Sequence, residues 1–308
     1  MDVSRAWTLV VALVVVLVAG PLHSQAYIDY ILKQKSSDRL GKAMEAMVDR
    51  RLGDCISLAT AAITTDPSDA NGYFVRGSCR FWSNEPKNAL DDISKGLALA
   101  PGRSEARAER GLIYRDLGEN EKALADFDAA LKVMPRSHTT QYNRGLALLD
   151  LGRHKEAIAA FDRAIALEAN DPDYFADRCL AKLRSDAAGA LADAERSVAL
   201  VTTLGGGRTG GPKAGPAISS TPKGAAPGKG SERYYMVYGN ALQQKERWAD
   251  ADAAYSKAIE IAPGYGEAYL NRAIVRMALN REDDAVRDLE TGARLAPAAY
   301  KRLKDQLK

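Results

Sequence analysis

The residues of this 308-residue chain with chemistry to offer are three histidines, three cysteines and a recurring arginine. His23, His138 and His154 stand far apart, and no CxxC, HExxH or phosphate-binding loop occurs. The glycine-rich run GGGRTGG at 205–211 lies in low-complexity sequence rather than between a strand and a helix, so it reads as linker. No catalytic residue, cofactor or metal site is expected. The stronger pattern is ionic. The fragments VRGSC, ERGLI and NRGLA set Arg76, Arg110 and Arg144 directly before Gly77, Gly111 and Gly145, at intervals of 34. Arg178 and Arg272 continue the series. Asp92, Asp126 and Asp288 follow their arginines by 16 residues, and Asp193 follows Arg178 by 15. Where the arginine is replaced, so is the acid: Tyr238 goes with Ala254, and Lys42 with Leu58. One unit departs, with Arg144 opposite Ala160 and Asp162 close by. Charges that come and go together point to a ladder of Arg–Asp pairs, in which a guanidinium fork grips a carboxylate better than an ammonium would. A row of arginines reading an anionic ligand is the alternative, but most of these arginines already have an acid to neutralise them.

Such pairs need two elements held side by side at a constant offset. Counting glycine as position 8, units begin at Ala70, Ser104 and His138 and return at Glu232 and Gly266. A copy precedes them at 36–69, and another follows at about 172–203. Position 20 repeats as Ala89, Ala123, Ala157, Ala251 and Ala285. Position 32 repeats as Pro101, Pro135, Pro263 and Pro297, residues that stop a helix. Within one unit, Ala123, Leu124, Phe127, Ala130, Leu131 and Met134 follow helical spacing. Each unit therefore reads as two amphipathic helices that must stack on neighbours to bury their apolar faces.

The 34-residue period with its small, large, small and proline positions resembles the tetratricopeptide repeat family over most of residues 36–297, in about seven copies. Tyr73, Arg107 and Gln141 stand at position 4, where that family usually has a large apolar residue. The resemblance implies an all-α superhelical solenoid of about seven helix-turn-helix repeats. It also implies a concave groove lined by positions 2, 5, 9, 12 and 13 of each first helix. Here these include Leu40, Met44, Met47, Asn71, Phe74, Ser78, Phe81, Trp82, Tyr142 and Leu146. Such an apolar, aromatic lining suits an extended segment or amphipathic helix of a protein partner. The same spacing also suits packing against a neighbouring helix, and both readings stand at this point. The family's carboxylate clamp is absent, because position 5 holds Leu40, Phe74, Ala108, Tyr142 and Ala176 rather than lysine. In this fold Cys55 begins the second helix of the first repeat and Cys79 lies late in the first helix of the next, so a Cys55–Cys79 disulfide is expected as a hypothesis.

The ends and the middle read differently. MDVSR, the apolar run AWTLVVALVVVLVAG and PLHSQA have the layout of a signal peptide over 1–26, cut after Ala26. A retained membrane anchor is the alternative. Residues 27–203 hold repeats 1–5. Residues 204–230 contain nine glycines, four prolines and only basic charges, the composition of a disordered linker. Residues 231–308 hold repeats 6–7 and a C-terminal capping helix. Two repeats are marginal alone, so this pair is expected to dock on the repeat ending near Val201. Forty-three basic against 40 acidic residues give no field favouring nucleic acid. The sequence thus predicts an exported, periplasmic or secreted, non-enzymatic scaffold for protein partners in a bacterial envelope. The alternative is an assembly factor anchored in the inner membrane.

Overall fold

The structure, a computed structural model, describes residues 32–203 and 230–306. The expected leader 1–26 and nearly all of the expected linker 204–230 lie outside the described residues. Among those described there are fifteen helices and no strands. The helices divide between Pro135 and Arg136 into two compact units.

The first unit holds three helix pairs: α1 (32–48) with α2 (Leu52–Thr65), α3 (Ala70–Trp82) with α4 (Pro86–Leu99), and α5 (Ser104–Asp116) with α6 (Asn120–Val133). The second holds α7 (His138–Asp150) with α8 (His154–Leu167), and α9 (Pro172–Arg184) with α10 (Ala190–Thr203). It continues with α11 (Glu232–Gln244) and α12 (Trp248–Ile261), α13 (Gly266–Ala278) and α14 (Glu282–Leu295), and a terminal helix α15 (Pro297–Gln306). These are seven helix pairs and a cap; α3, α5, α7, α11 and α13 begin at the residues where the period starts a unit, while α1 begins four residues before its unit at 36.

The turn inside each pair is built one way throughout. Position 15 has positive φ in all seven: Arg50, Asn84, Gly118, Gly152, Asp186, Glu246 and Asn280, with φ from 52° to 79°. That left-handed step lets the next amide reach back to the helix it leaves, as Glu119 N does to Tyr114 O at 2.8 Å and Arg281 N to Arg276 O at 2.8 Å. The second helix of the pair then runs back along the first.

Close approach of the two helices depends on position 8. A Cβ built on Gly111 would lie 2.7 Å from a ring carbon of Phe127, and one on Gly239 would lie 2.4 Å from Tyr255. Small residues on one helix make room for a ring on its partner. Phe127, Phe161 and Tyr255 are fully buried as a result.

The pair after the linker segment docks as the stability argument requires. Val237 and Ala241 of α11 pack with Cys179 of α9 and with Ala190 and Ala194 of α10. Tyr234 packs with Ala176 and Val201. No described helix is long and apolar enough to cross a membrane.

Gly111→Ala should force the Phe127 ring off its seat and lower the stability of the first unit by about 1–3 kcal/mol. Urea denaturation followed by circular dichroism measures this. An unchanged midpoint would show that the ring has room to move.

Candidate functional site

Arginine at position 7 meets aspartate on the second helix of its own pair. Arg76 donates from Nε to Asp92 Oδ2 at 2.8 Å and from Nη2 to Oδ1 at 2.7 Å. Arg110 grips Asp126 in the same way at 2.7 and 2.8 Å, and Arg272 grips Asp288 at 2.7 Å through both atoms. Arg178 holds Asp193 at 2.9 and 2.5 Å. All four carboxylates are buried. Charge on them is tolerable only because each is paired and hydrogen-bonded. In turn, the hydrogen bond that Arg76 donates to Asp92 is the main cause that raises the Arg76 pKa, and the bond to Asp126 does the same for Arg110.

Two features of these rungs escaped the sequence reading. First, a second cation one turn on joins three of them: Arg80 on Asp92 at 2.8 Å, Lys182 on Asp193 at 2.8 Å and Arg276 on Asp288 at 2.9 Å. Position 11 was the available signal, because the pairs with alanine in place of the aspartate have fully buried Leu148 and Leu242 there. Second, the remaining guanidinium nitrogen reaches the preceding pair. Arg76 Nη1 donates to Thr60 Oγ1 at 3.3 Å, Arg178 Nη1 to Asp162 Oδ1 at 2.6 Å and Arg272 Nη1 to Ser256 Oγ at 2.9 Å. A rung therefore ties two helices of one pair and also ties that pair to its neighbour. Asp162, placed near Arg144 by the sequence reading, pairs with Arg178.

A second polar cluster fastens α11 to α9. Arg233 is ion-paired with both Asp173 and Asp177. Tyr142 OH donates to Asp177 Oδ2 at 2.6 Å, and Tyr234 OH to Asp173 Oδ1 at 3.0 Å. The Tyr142 and Tyr174 rings lie 4.6 Å apart, and Tyr174 OH is 2.7 Å from His138 Nδ1. Burial pushes the Tyr142 phenol well above its ordinary pKa, and Asp177 adds to this. Burial also raises the Asp171 carboxyl to about 6, with Asp173 contributing. No fixed spacing marks this cluster, because its partners are 56 and 60 residues apart across the linker segment.

The predicted groove residues divide. Leu40, Tyr142 and Leu146 are each less than a tenth exposed. This corrects their assignment to an open lining. Leu40 belongs to the core around Cys55 and Ala59, and Tyr142 is spent on Asp177. Met47 packs on the same core as Leu40. Met44 is 52% exposed, and Val48, one turn on, is 73% exposed. Phe74, Ser78, Phe81 and Trp82 are half-buried, and Asn71 is exposed. Phe74 and Phe81 pack on the core beneath them, while the Arg50 guanidinium lies 5.2 Å over the Trp82 ring. Asn71 Oδ1 accepts from Arg103 at 2.6 Å. Ser78 also bonds Glu109, which sequence reasoning missed. Burial pushes the Glu109 carboxyl up to about 7, and the bond from Ser78 opposes this. Beneath this face Cys55 and Cys79 form a disulfide, with Cα atoms 6.3 Å apart, joining the first pair to the second. Cys179 is a buried free thiol, raised to about 12 by burial. No group of metal-ligating side chains is assembled among the described residues.

With the geometry in place, comparisons with known proteins agree on the fold. A tetratricopeptide repeat family profile matches residues 108–174, and a second matches 232–265. A tetratricopeptide repeat protein from Parabacteroides merdae superposes with a TM-score of 0.60 at 17% identity, over 88% of this chain and 97% of its own. The RS-1 ArsTM double mutant of MamA gives 0.53 at 16% identity, over 56% of this chain and 97% of its own. The pilF protein of Pseudomonas aeruginosa gives 0.50 at 13% identity, over 89% of this chain and 99% of its own. No curated protein matches in sequence. The fold is thus an all-α array of tetratricopeptide helix pairs. The profiles identify tetratricopeptide repeats at 108–174 and 232–265, and the structural likenesses show the fold.

Glu109 gives the first unit a testable pH response. Its folded pKa of about 7 lies above the ordinary 4.5, so the folded state holds its proton more tightly than the unfolded chain. Stability should fall as pH rises from about 4.5 through 7. Glu109→Gln should remove that slope and melt higher than the parent at pH 8. Parallel slopes for the two proteins would show that Glu109 titrates normally.

Proposed function

We propose that this protein is a non-enzymatic scaffold that holds protein partners on the inner face of its first two helix pairs. The observation that carries the reading is the exposed apolar stripe Met44 and Val48 on α1, in register with half-buried Phe81 and Trp82 on α3. These residues sit at positions 9, 13, 12 and 13 of their repeats, the register at which this fold receives ligands. Methionine adapts to varied apolar surfaces, and tryptophan is a frequent energetic anchor of protein contacts. The partner chemistry that fits is an amphipathic helix or an extended segment with spaced apolar side chains.

Export is part of the same proposal. It rests on the leader-like sequence 1–26, and a buried disulfide suits an oxidising compartment. We place the working protein in the periplasm or outside the cell. Retention of the leader, which would tether the repeats to a membrane, is the second reading.

Binding and export are tested separately. Met44→Asp with Trp82→Ala should abolish capture of partners from envelope extract while leaving the helical circular dichroism unchanged; capture equal to the parent would remove this face from the account. Sequencing the N-terminus of the mature protein should find Tyr27 first, and Met1 or Asp2 there would establish the tether.

A further inference from the structure

The sixth helix pair has lost its rung but kept the seat around it. In three rungs the arginine lies over an aromatic ring at position 4 of its own helix. Arg76 lies 5.8 Å from the centre of Tyr73, Arg178 lies 5.5 Å from Phe175 and Arg272 lies 5.5 Å from Tyr269. In two of these a second cation, at position 26, lies over the same ring: Lys95 at 4.9 Å and Arg196 at 5.9 Å. The sixth pair has Tyr235 at position 4 and Lys257 at position 26, while Tyr238 and Ala254 replace the arginine and aspartate. At that place there is a shallow cavity of about 250 Å³, lined by Tyr235, Tyr238, Asp250, Ala253, Ala254 and Lys257. It is smaller than the roughly 300–1,000 Å³ of sites for small-molecule ligands and is of a size for one long side chain.

Its charges favour a cation. Asp250 lines the cavity, and its partner Arg247 holds it in an exposed pair at 2.7 Å, which contributes little and leaves the carboxylate open to sharing. Glu195 of α10 also acts on the Tyr238 phenol. Lys257 is already taken by Glu260, at 2.9 Å. With Lys257 neutralised by Glu260, the charges that act on the Tyr238 phenol are Glu195 and Asp250 against Arg247. A guanidinium entering here meets the position-4 ring that the rung arginines also have, a second tyrosine ring and, in place of the buried aspartate, the exposed carboxylate of Asp250.

We propose that this notch receives an arginine side chain presented by a protein partner, in the place where other repeats carry their own. The site lies on α11 and α12 and is independent of the inner face of the first two pairs, so failure of either reading leaves the other intact.

The test uses the full chain with ¹³C-labelled tyrosine rings, titrated with N-acetyl-arginine amide and with its uncharged counterpart N-acetyl-citrulline amide. The Tyr235 and Tyr238 resonances, assigned from single phenylalanine variants, should shift saturably with arginine and bind citrulline about fivefold more weakly or worse. Tyr238→Arg with Ala254→Asp rebuilds the rung from within; it should melt no lower than the parent and lose the response. Tyr235→Leu should also lose it with helical content unchanged, which covers the case in which the rebuilt variant fails to fold. Unmoved resonances in the parent, whether the notch is inert or filled by another segment of this chain, overturn the proposal. Equal binding of citrulline, or a response that survives Tyr235→Leu, overturns it as well.

Discussion

The bidentate contact between a position-7 arginine and an aspartate 15 or 16 residues on is the interaction on which this array depends. Alanine and glycine fill much of the interface between paired helices, as Gly111, Ala123 and Ala130 do in α5 and α6. The rung adds charge-assisted hydrogen bonds, and its spare nitrogen extends the tie to the preceding pair through Thr60, Asp162 or Ser256. Such a contact is directional. It fixes the rotation between helices as well as their distance, which a smooth face of alanines does not. The cost is that neither partner can be removed alone, because the other would remain buried and charged.

The first pair shows what replaces a rung. It has Lys42 and Leu58 where the rung would be, and Lys42 is spent on exposed Asp38. Among the described residues its neighbouring pair is the second. The Cys55–Cys79 disulfide ties its second helix to α3, and Arg39 adds a bond to the Ala61 carbonyl at 3.0 Å. The exposed Met44 and Val48 are therefore carried on a pair joined covalently to the next, and Arg50 of the same pair lies over the half-buried Trp82. The polar cluster around Arg233 does the corresponding work for the last two pairs, where the chain re-enters after the linker segment.

Much of the fold was legible because it repeats. Period, proline stops and paired charges recur at fixed offsets, so each copy corroborates the others. The second cations Arg80, Lys182 and Arg276 were readable by the same logic and were passed over, since position 11 varies between cation, tyrosine, leucine and alanine rather than holding one type. What does not repeat was not legible. The Arg233 cluster joins positions that no period relates. The burial of Leu40, Tyr142 and Leu146 depends on how neighbouring first helices pack, and helical spacing alone cannot separate an inner lining from a core. Glu109 gave no signal either, because its raised pKa comes from its surroundings rather than its place in a pattern.

The central claim concerns coupling within a rung, and a double-mutant cycle on Arg110 and Asp126 measures it most directly. Arg110→Met, Asp126→Leu and the double variant are compared with the parent by urea denaturation. The account predicts that each single variant loses about 3 kcal/mol or more, because a buried charge is left alone, and that the double variant loses far less than their sum. Additive losses, with coupling near zero, would mean that the arginines and aspartates stand near each other without holding the array together.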